Sequence, residues 1–290
     1  MARIYYETHV HKNELDSHLI GVIGYGNQGR AQALNARDSG LTVKVGARFD
    51  GASASQARAD GIEPDNIEHV SSICDILVIT LPDEVIPQVY ERSILPYLTA
   101  DKTFVFAHGF AVHNHTIKLP SESDVVLVAP TGPGHQLRSL YQRGKGLPAL
   151  VAVEQNGSGR ALERCLAYAH AIGCTRAGAV LTSFQEETNT DLFCEQAVLC
   201  GGIPELIKAS FQTLVDAGYQ PELAYISCLK EVKLISDLLF DRGLAGMRDA
   251  ISTTARFGSS QAGPQIIDGH ARRRLEEVLE NIESGNFARS

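Results

Sequence analysis

Tryptophan is absent, methionine occurs twice, and no two cysteines form a Cys-x-x-Cys pair. A chain so composed must build its cores from Leu, Ile, Val and Ala. Its six cysteines, Cys74, Cys165, Cys174, Cys194, Cys200 and Cys228, are scattered and several lie in apolar runs, which reads as buried reduced thiols in a cytoplasmic protein. Basic charge is in deficit. With 26 Lys and Arg against 34 Asp and Glu the net charge is −8, so nothing points to nucleic acid, and no basic run points to an anionic membrane. No apolar stretch approaches the ~20 residues that span a bilayer, and Met1-Ala2-Arg3-Ile4-Tyr5-Tyr6-Glu7 lacks the apolar core of a signal peptide. What remains is a chain of 290 residues, enough for two domains and two cores.

The most informative segment is Gly24-Tyr25-Gly26-Asn27-Gln28-Gly29, set between the apolar run Leu19-Ile20-Gly21-Val22-Ile23 and a helical opening at Arg30-Ala31-Gln32-Ala33-Leu34-Asn35. Strand, glycine turn and helix in this order place a dinucleotide pyrophosphate against helix N-terminal amides. A plain strand-to-helix turn is the competing reading. Further strands are expected at 41–46, 75–81, 103–107, 125–129 and 150–153, with helical segments between several of them, as in a doubly wound parallel sheet. Ligands of such sheets lie beyond the carboxyl ends of the strands. Those ends carry Arg48, then Leu81, Pro82 and Asp83, then His108, then Thr131 to His135 with Gly134 among them. Arg48, with Ser53 and Ser55 behind it, suits a 2′-phosphate and favours NADPH over NADH, whereas Asp50 pulls the other way. Arg48 merely capping its loop in solvent is the alternative.

From Phe184 onward strand signals stop. A helix is expected over 185–199, closed by Gly201-Gly202, and a second from Pro221 to about Asp241, ahead of Gly243. Asp191 and Glu195 are four apart on the first, so both carboxylates leave one face. Hard oxygen ligands at that spacing suit Mg²⁺, but so does an ordinary solvated acidic edge. Glu231 on the second helix shares a face with Ser227, and an exposed pairing with a lysine is its plain reading.

Together these pieces resemble the ketol-acid reductoisomerases, in the short form with one helical domain. The resemblance runs from Ile4-Tyr5-Tyr6 to Gly285-Asn286-Phe287-Ala288-Arg289. It is carried by the glycine turn, Leu81-Pro82-Asp83-Glu84, Ala107-His108-Gly109-Phe110, Gly132-Pro133-Gly134-His135, Thr175-Arg176-Ala177-Gly178, Glu186-Glu187-Thr188, Asp191-Leu192-Phe193 and Glu195-Gln196-Ala197-Val198-Leu199-Cys200-Gly201-Gly202. It implies a Rossmann domain over 1–182 and an all-α knotted domain over 183–290, with two subunits completing each active site in a homodimer or higher oligomer. It also implies NAD(P)H and two Mg²⁺ ions, alkyl migration in a 2-hydroxy-2-alkyl-3-keto acid, and then reduction, in branched-chain amino acid synthesis. By the same resemblance Asp191 and Glu195 are metal ligands, Glu231 is the later of two glutamates, Ser252 contacts substrate carboxylate and His108 is the active-site histidine.

The chain departs from the family pattern at Thr131, where the family has lysine, and at Ser227, where it has the earlier glutamate. Asp50-Gly51 replaces a cofactor-loop serine, and the sequence ends at Ser290, where family members continue into a further helical segment. Alkyl migration needs a hydroxyl deprotonated and a carbonyl polarised together, so lost charge bears on that step first. The expectation is an oxidoreductase acting on C=O or C=N of a small oxo acid or imine, with migration weakened or lost. An authentic ketol-acid reductoisomerase and a non-catalytic cofactor-binding protein are the alternatives.

Overall fold

Strands buried on both faces read as unbroken apolar runs, and each sends alternate side chains into one of two cores. Ile76, Val78, Val105, Val126 and Val128 enter one core. Their neighbours Leu77, Ile79, Phe104, Phe106, Val125 and Leu127 enter the other. The computed structural model describes residues 2–48, 50–98 and 102–289. The chain divides into two units, one reaching Thr188 and one beginning at Asn189.

The first unit is an α/β sandwich. Its strands are β1 (Ile4–Tyr5), β2 (Leu19–Ile23), β3 (Thr42–Gly46), β4 (Ile76–Ile79), β5 (Thr103–Phe106), β6 (Asp124–Pro130), β7 (Ala149–Asn156) and β8 (Ala179–Leu181). They form one sheet in the order β1-β8-β7-β6-β5-β4-β2-β3. Strands β3, β2, β4, β5 and β6 run parallel. The helices are α1 (Asn27–Asp38), α2 (Ala52–Ala59), α3 (Ile67–Ile73), α4 (Ile86–Val89), α5 (Phe110–His113), α6 (Gly134–Gln142) and α7 (Ala161–Ala171). Side chains of α1, α2, α6 and α7 close the first core, and those of α3, α4 and α5 close the second.

Two features differ from a purely parallel sheet. Strand β7 is antiparallel to β6, with Ala149 opposite Pro130. The chain leaves β6, forms α6, reverses at Gly144 in the left-handed region (φ 70), and re-enters the sheet at the edge it left. The edge strand β1 pairs antiparallel with its neighbour β8; at two and three residues they are too short to show an alternating pattern in sequence.

Helix α8 (Phe184–Cys194) crosses the division between units and continues as a π-helical turn, Glu195–Leu199. The second unit is all helical. It comprises α9 (Gly202–Asp216), α10 (Pro221–Tyr225), α11 (Glu231–Ala250), α12 (Thr253–Ile266), α13 (Gly269–Glu283) and α14 (Asn286–Arg289), with a second π turn at Ile226–Lys230. The helix expected from Pro221 forms through that turn and kinks at Gly243 (φ 66, ψ −179). Among the described residues this unit buries few apolar side chains, Ala224 and Ile282, while Leu234, Leu244, Phe257 and Phe240 (91% accessible) stand exposed. Cys74, Cys165 and Cys174 are buried as expected; Cys194 and Cys200 are exposed and Cys228 is half-buried. No described helix is long and apolar enough to cross a membrane.

At the amino ends of the central strands, fully buried Asp124 accepts from Arg164 Nη1 (2.9 Å), Ser158 N (2.9 Å) and Ser158 Oγ (2.7 Å). Breaking a buried pair strands the remaining charge. Arg164→Met is therefore expected to lower unfolding free energy by about 3 kcal/mol, read as a reduced urea midpoint at constant slope. Arg274→Met, which breaks an exposed pair with Glu277, should change it by less than about 0.5 kcal/mol.

Candidate functional site

The turn between β2 and α1 is shaped by close approach of backbones. Gly24 takes φ 95, a region that disfavours side chains, and donates its N–H to Gly46 O (2.9 Å). A Cβ on Gly29 would stand 2.3 Å from Gly24 O and 2.5 Å from Thr80 Oγ1, so only glycine lets α1 sit this close to the strand. Gly26 differs. It caps α1 in an extended conformation with no side-chain cap, and a Cβ there would meet nothing within 4 Å. The first amides of α1 are left for an anion, with open space in front of them. That is the cradle a dinucleotide pyrophosphate requires, and the residues present fit it.

Tyr25 lines the same cleft as Gly26 and Asn27. Its ring is buried and its hydroxyl donates to Asp60 Oδ2 (3.1 Å), which also accepts from Arg30 Nε (2.6 Å). Burial and the adjacent carboxylate push the Tyr25 phenol well above its usual range, so it stays protonated and donating. The Arg30 hydrogen bond holds the Asp60 carboxyl below the usual carboxylate range.

A second helix N-terminus joins the first. Gly134 opens α6, and a Cβ on it would overlap Asn27 O at 2.0 Å. Asn27 Oδ1 accepts from His135 N (3.2 Å), and Gln28 Nε2 donates to Gly132 O (2.7 Å). Residues 24–29 and 132–135, far apart in sequence, thus make one surface. Arg48 and Asp50 are exposed beside α2 and Ser53 is half-buried in its first turn. Thr131 is exposed, and its hydroxyl donates to Pro148 O (3.0 Å).

Leu81 and Pro82 follow β4, and His108 follows β5. His108 Nδ1 lies 3.0 Å from Glu187 Oε1, and Gly109 N donates to Glu187 Oε2 (2.8 Å). With Glu187 ionised, Nδ1 carries the donated proton and Nε2 is left toward Asp83, whose Oδ2 is 3.9 Å away. Gly109 has no room for a side chain, since a Cβ would lie 2.5 Å from Thr188 Oγ1 and 2.8 Å from Glu187 Oε2. Glu187 was legible in the sequence as part of a motif but not as a partner of His108, because nearly eighty residues separate them and only the fold closes that gap.

In the second unit, Asp191 and Glu195 are exposed. Asp191 lies on α8, and Glu195 opens the π turn that follows it. Ser227 lies within the second π turn, Glu231 directly follows it, and both are exposed as well. Carboxylate oxygens in such exposed positions suit a hard cation that keeps several waters. Ser252 caps α12, its Oγ accepting from Ala255 N (3.1 Å).

Residues 14–178 match the model of the acetohydroxy acid isomeroreductase NADPH-binding domain, and residues 184–290 match that of the ketol-acid reductoisomerase C-terminal domain. The chain is similar to an NADH-preferring ketol-acid reductoisomerase from an uncultured archaeon, at 42% identity and TM-score 0.96 over 99% of this chain and 88% of that one. It shares only its fold with two others. One is an NAD-binding semialdehyde dehydrogenase protein from Cupriavidus necator (16% identity, TM-score 0.69, covering 92% and 99%). The other is a 1-pyrroline-5-carboxylate reductase from Streptococcus pyogenes (13%, TM-score 0.58, covering 92% and 98%).

Because no protein atom lies near a Cβ at position 26, Gly26→Ala isolates the ligand's contribution. The variant should keep its stability within about 0.5 kcal/mol yet bind NAD(P)H at least about tenfold more weakly, measured by fluorescence titration. Unchanged binding would remove the pyrophosphate from this turn.

Proposed function

The chain belongs to the ketol-acid reductoisomerase family of NAD(P)H-dependent oxidoreductases, and we propose that it keeps the family's reduction while its alkyl migration is weakened or lost. One observation carries this reading. The reducing apparatus, the glycine cradle and the His108–Glu187 pair, is assembled, whereas the Thr131 hydroxyl is spent on Pro148 O and carries no charge.

NAD(P)H supplies the hydride, and bound Mg²⁺ would supply a Lewis acid for the substrate oxygens. The α1 amides orient the pyrophosphate. Glu187 fixes the His108 ring through Nδ1–H, and the doubly protonated imidazolium gives its Nε2 proton to the oxygen or nitrogen of the reduced C=O or C=N, leaving the neutral ring with Nδ1–H still on Glu187. Asp191 and Glu195 would hold the metal, with Glu231 completing the polar wall in the assembled enzyme. Ser252 spends an oxygen lone pair on its helix cap and keeps its hydroxyl hydrogen for a substrate carboxylate. A small oxo acid or imine fits this set.

Migration demands more. A lysine replaced by Thr131 removes one charge stabiliser, worth about 10²–10³-fold, and a glutamate replaced by Ser227 weakens the metal surroundings by about 10–100-fold. Acting independently, they slow migration by roughly 10³–10⁵-fold. The rival reading is an authentic ketol-acid reductoisomerase, favoured by the 42% identity to one across 99% of the chain.

Arg48 and Ser53 support NADPH as the preferred cofactor, while Asp50 narrows its margin over NADH. The exposed apolar side chains of the second unit support a homodimer or higher oligomer. Six free thiols support work in the cytoplasm.

The test follows NADPH absorbance with 2-acetolactate and, separately, with 3-hydroxy-3-methyl-2-oxobutanoate, each with and without Mg²⁺. Oxidation by the rearranged acid alone is expected; equal rates with both would establish the authentic enzyme. Arg48→Ala should weaken NADPH about tenfold and leave NADH within about twofold, by titration. Equal losses would put Arg48 on the adenine ring instead.

A further inference from the structure

Helix α1 buries amides where a core helix ordinarily buries hydrocarbon. Gln28, Gln32 and Asn35 recur at helical spacing on its inner side, and Gln32 and Asn35 have no solvent-accessible surface. Asn35 is accounted for by the packing of three helices: its Nδ2 donates to Ile172 O (3.0 Å) and its Oδ1 accepts from Arg138 Nη1 (2.9 Å). Gln32 belongs to a different chain of contacts. The hydroxyl of fully buried Tyr168, on α7, donates to Gln32 Oε1 (3.1 Å). Gln32 Nε2 donates to Gln28 Oε1 (3.2 Å), and Gln28 Nε2 donates to Gly132 O (2.7 Å). Every link has one donor and one acceptor, so the chain has a single direction, from the core outward to the loop between β6 and α6.

A buried polar chain adds nothing to stability that well-packed hydrocarbon would not supply, and what it adds is a fixed geometry. Its end point is the loop whose Gly134 rests on Asn27 O, beside Thr131. Burial pushes the Tyr168 phenol well above its usual range, so the donor that starts the chain stays protonated at every working pH.

We propose that Tyr168 and Gln32 are positioning residues that act through Gln28 to hold the Gly132–His135 loop against the glycine turn, setting the shape of the dinucleotide cradle. This rests on the assignment of the cofactor to that turn and is independent of which acid is reduced.

The experiment is fluorescence titration of the full chain with NADPH, for the parent and for Tyr168→Phe, Gln32→Met, Gln28→Met and the double variant Tyr168→Phe/Gln28→Met, with thermal melting of each. Each single variant is expected to raise the NADPH Kd about fivefold, the equivalent of about one hydrogen bond. The double variant should be no worse than Gln28→Met alone, because links in series fail together. A purely structural role predicts lower melting temperatures with Kd unchanged, and that result in Tyr168→Phe and Gln32→Met would overturn the proposal. So would losses that multiply in the double variant. If one variant does not fold, the other two singles decide it. A parent chain that fails to bind NADPH would overturn the cofactor assignment itself, and the relay with it.

Discussion

The contact of two backbones, Gly134 against Asn27 O, is the constraint on which the rest of the first unit's site depends. It brings the N-termini of α1 and α6 side by side, and it is possible only because neither position carries obstructing atoms. Hydrogen bonds from Gln28 and to Asn27 then fix the approach. The two helices start from different strands, so their juxtaposition also sets where Gly26 opens and where Thr131 is carried. An anion at this point would meet the peptide dipoles of both helices, in a cleft also lined by Arg30 and Arg138. That is consistent with a site shaped by backbone, in which a single added methyl group is a large perturbation.

The second polar centre is organised differently. Glu187 is almost fully buried, yet both of its oxygens are satisfied, by the His108 ring and by Gly109 N. A buried carboxylate left unpaired would be costly; paired in this way, Glu187 fixes the position of the His108 ring. Thr131 presents the opposite case. A short hydroxyl side chain satisfies itself on the neighbouring Pro148 carbonyl and carries no charge. This contrast between the two centres supports the proposal that reduction is kept and rearrangement weakened.

Much of this was legible in the sequence. The central parallel strands β2, β4, β5 and β6 are largely apolar runs, and a strand with two buried faces has no other pattern to show. The glycine turn was legible for a similar reason, since Gly24 and Gly29 answer steric demands that no other residue meets. The antiparallel β7 was not, because its direction is decided by a reversal at Gly144 after α6, and a strand's residues do not record which way its neighbour runs. The edge strand β1 and its neighbour β8 were too short to register. Nor was the amide stripe of α1: Gln28, Gln32 and Asn35 look like a solvent face, and only the partners on α7 and the β6–α6 loop show that they face inward. Cys194 and Cys200 mislead in the same way, lying in an apolar run that reads as buried but is exposed.

The central claim is that missing charge, not a missing cofactor site, separates this chain from rearrangement. Its most direct test is the rate of NADPH oxidation with 2-acetolactate and Mg²⁺ for the variant Thr131→Lys/Ser227→Glu against the parent. The account predicts a gain of at least about a hundredfold, with the rate on the already rearranged acid changed little. A variant no faster than its parent would contradict it.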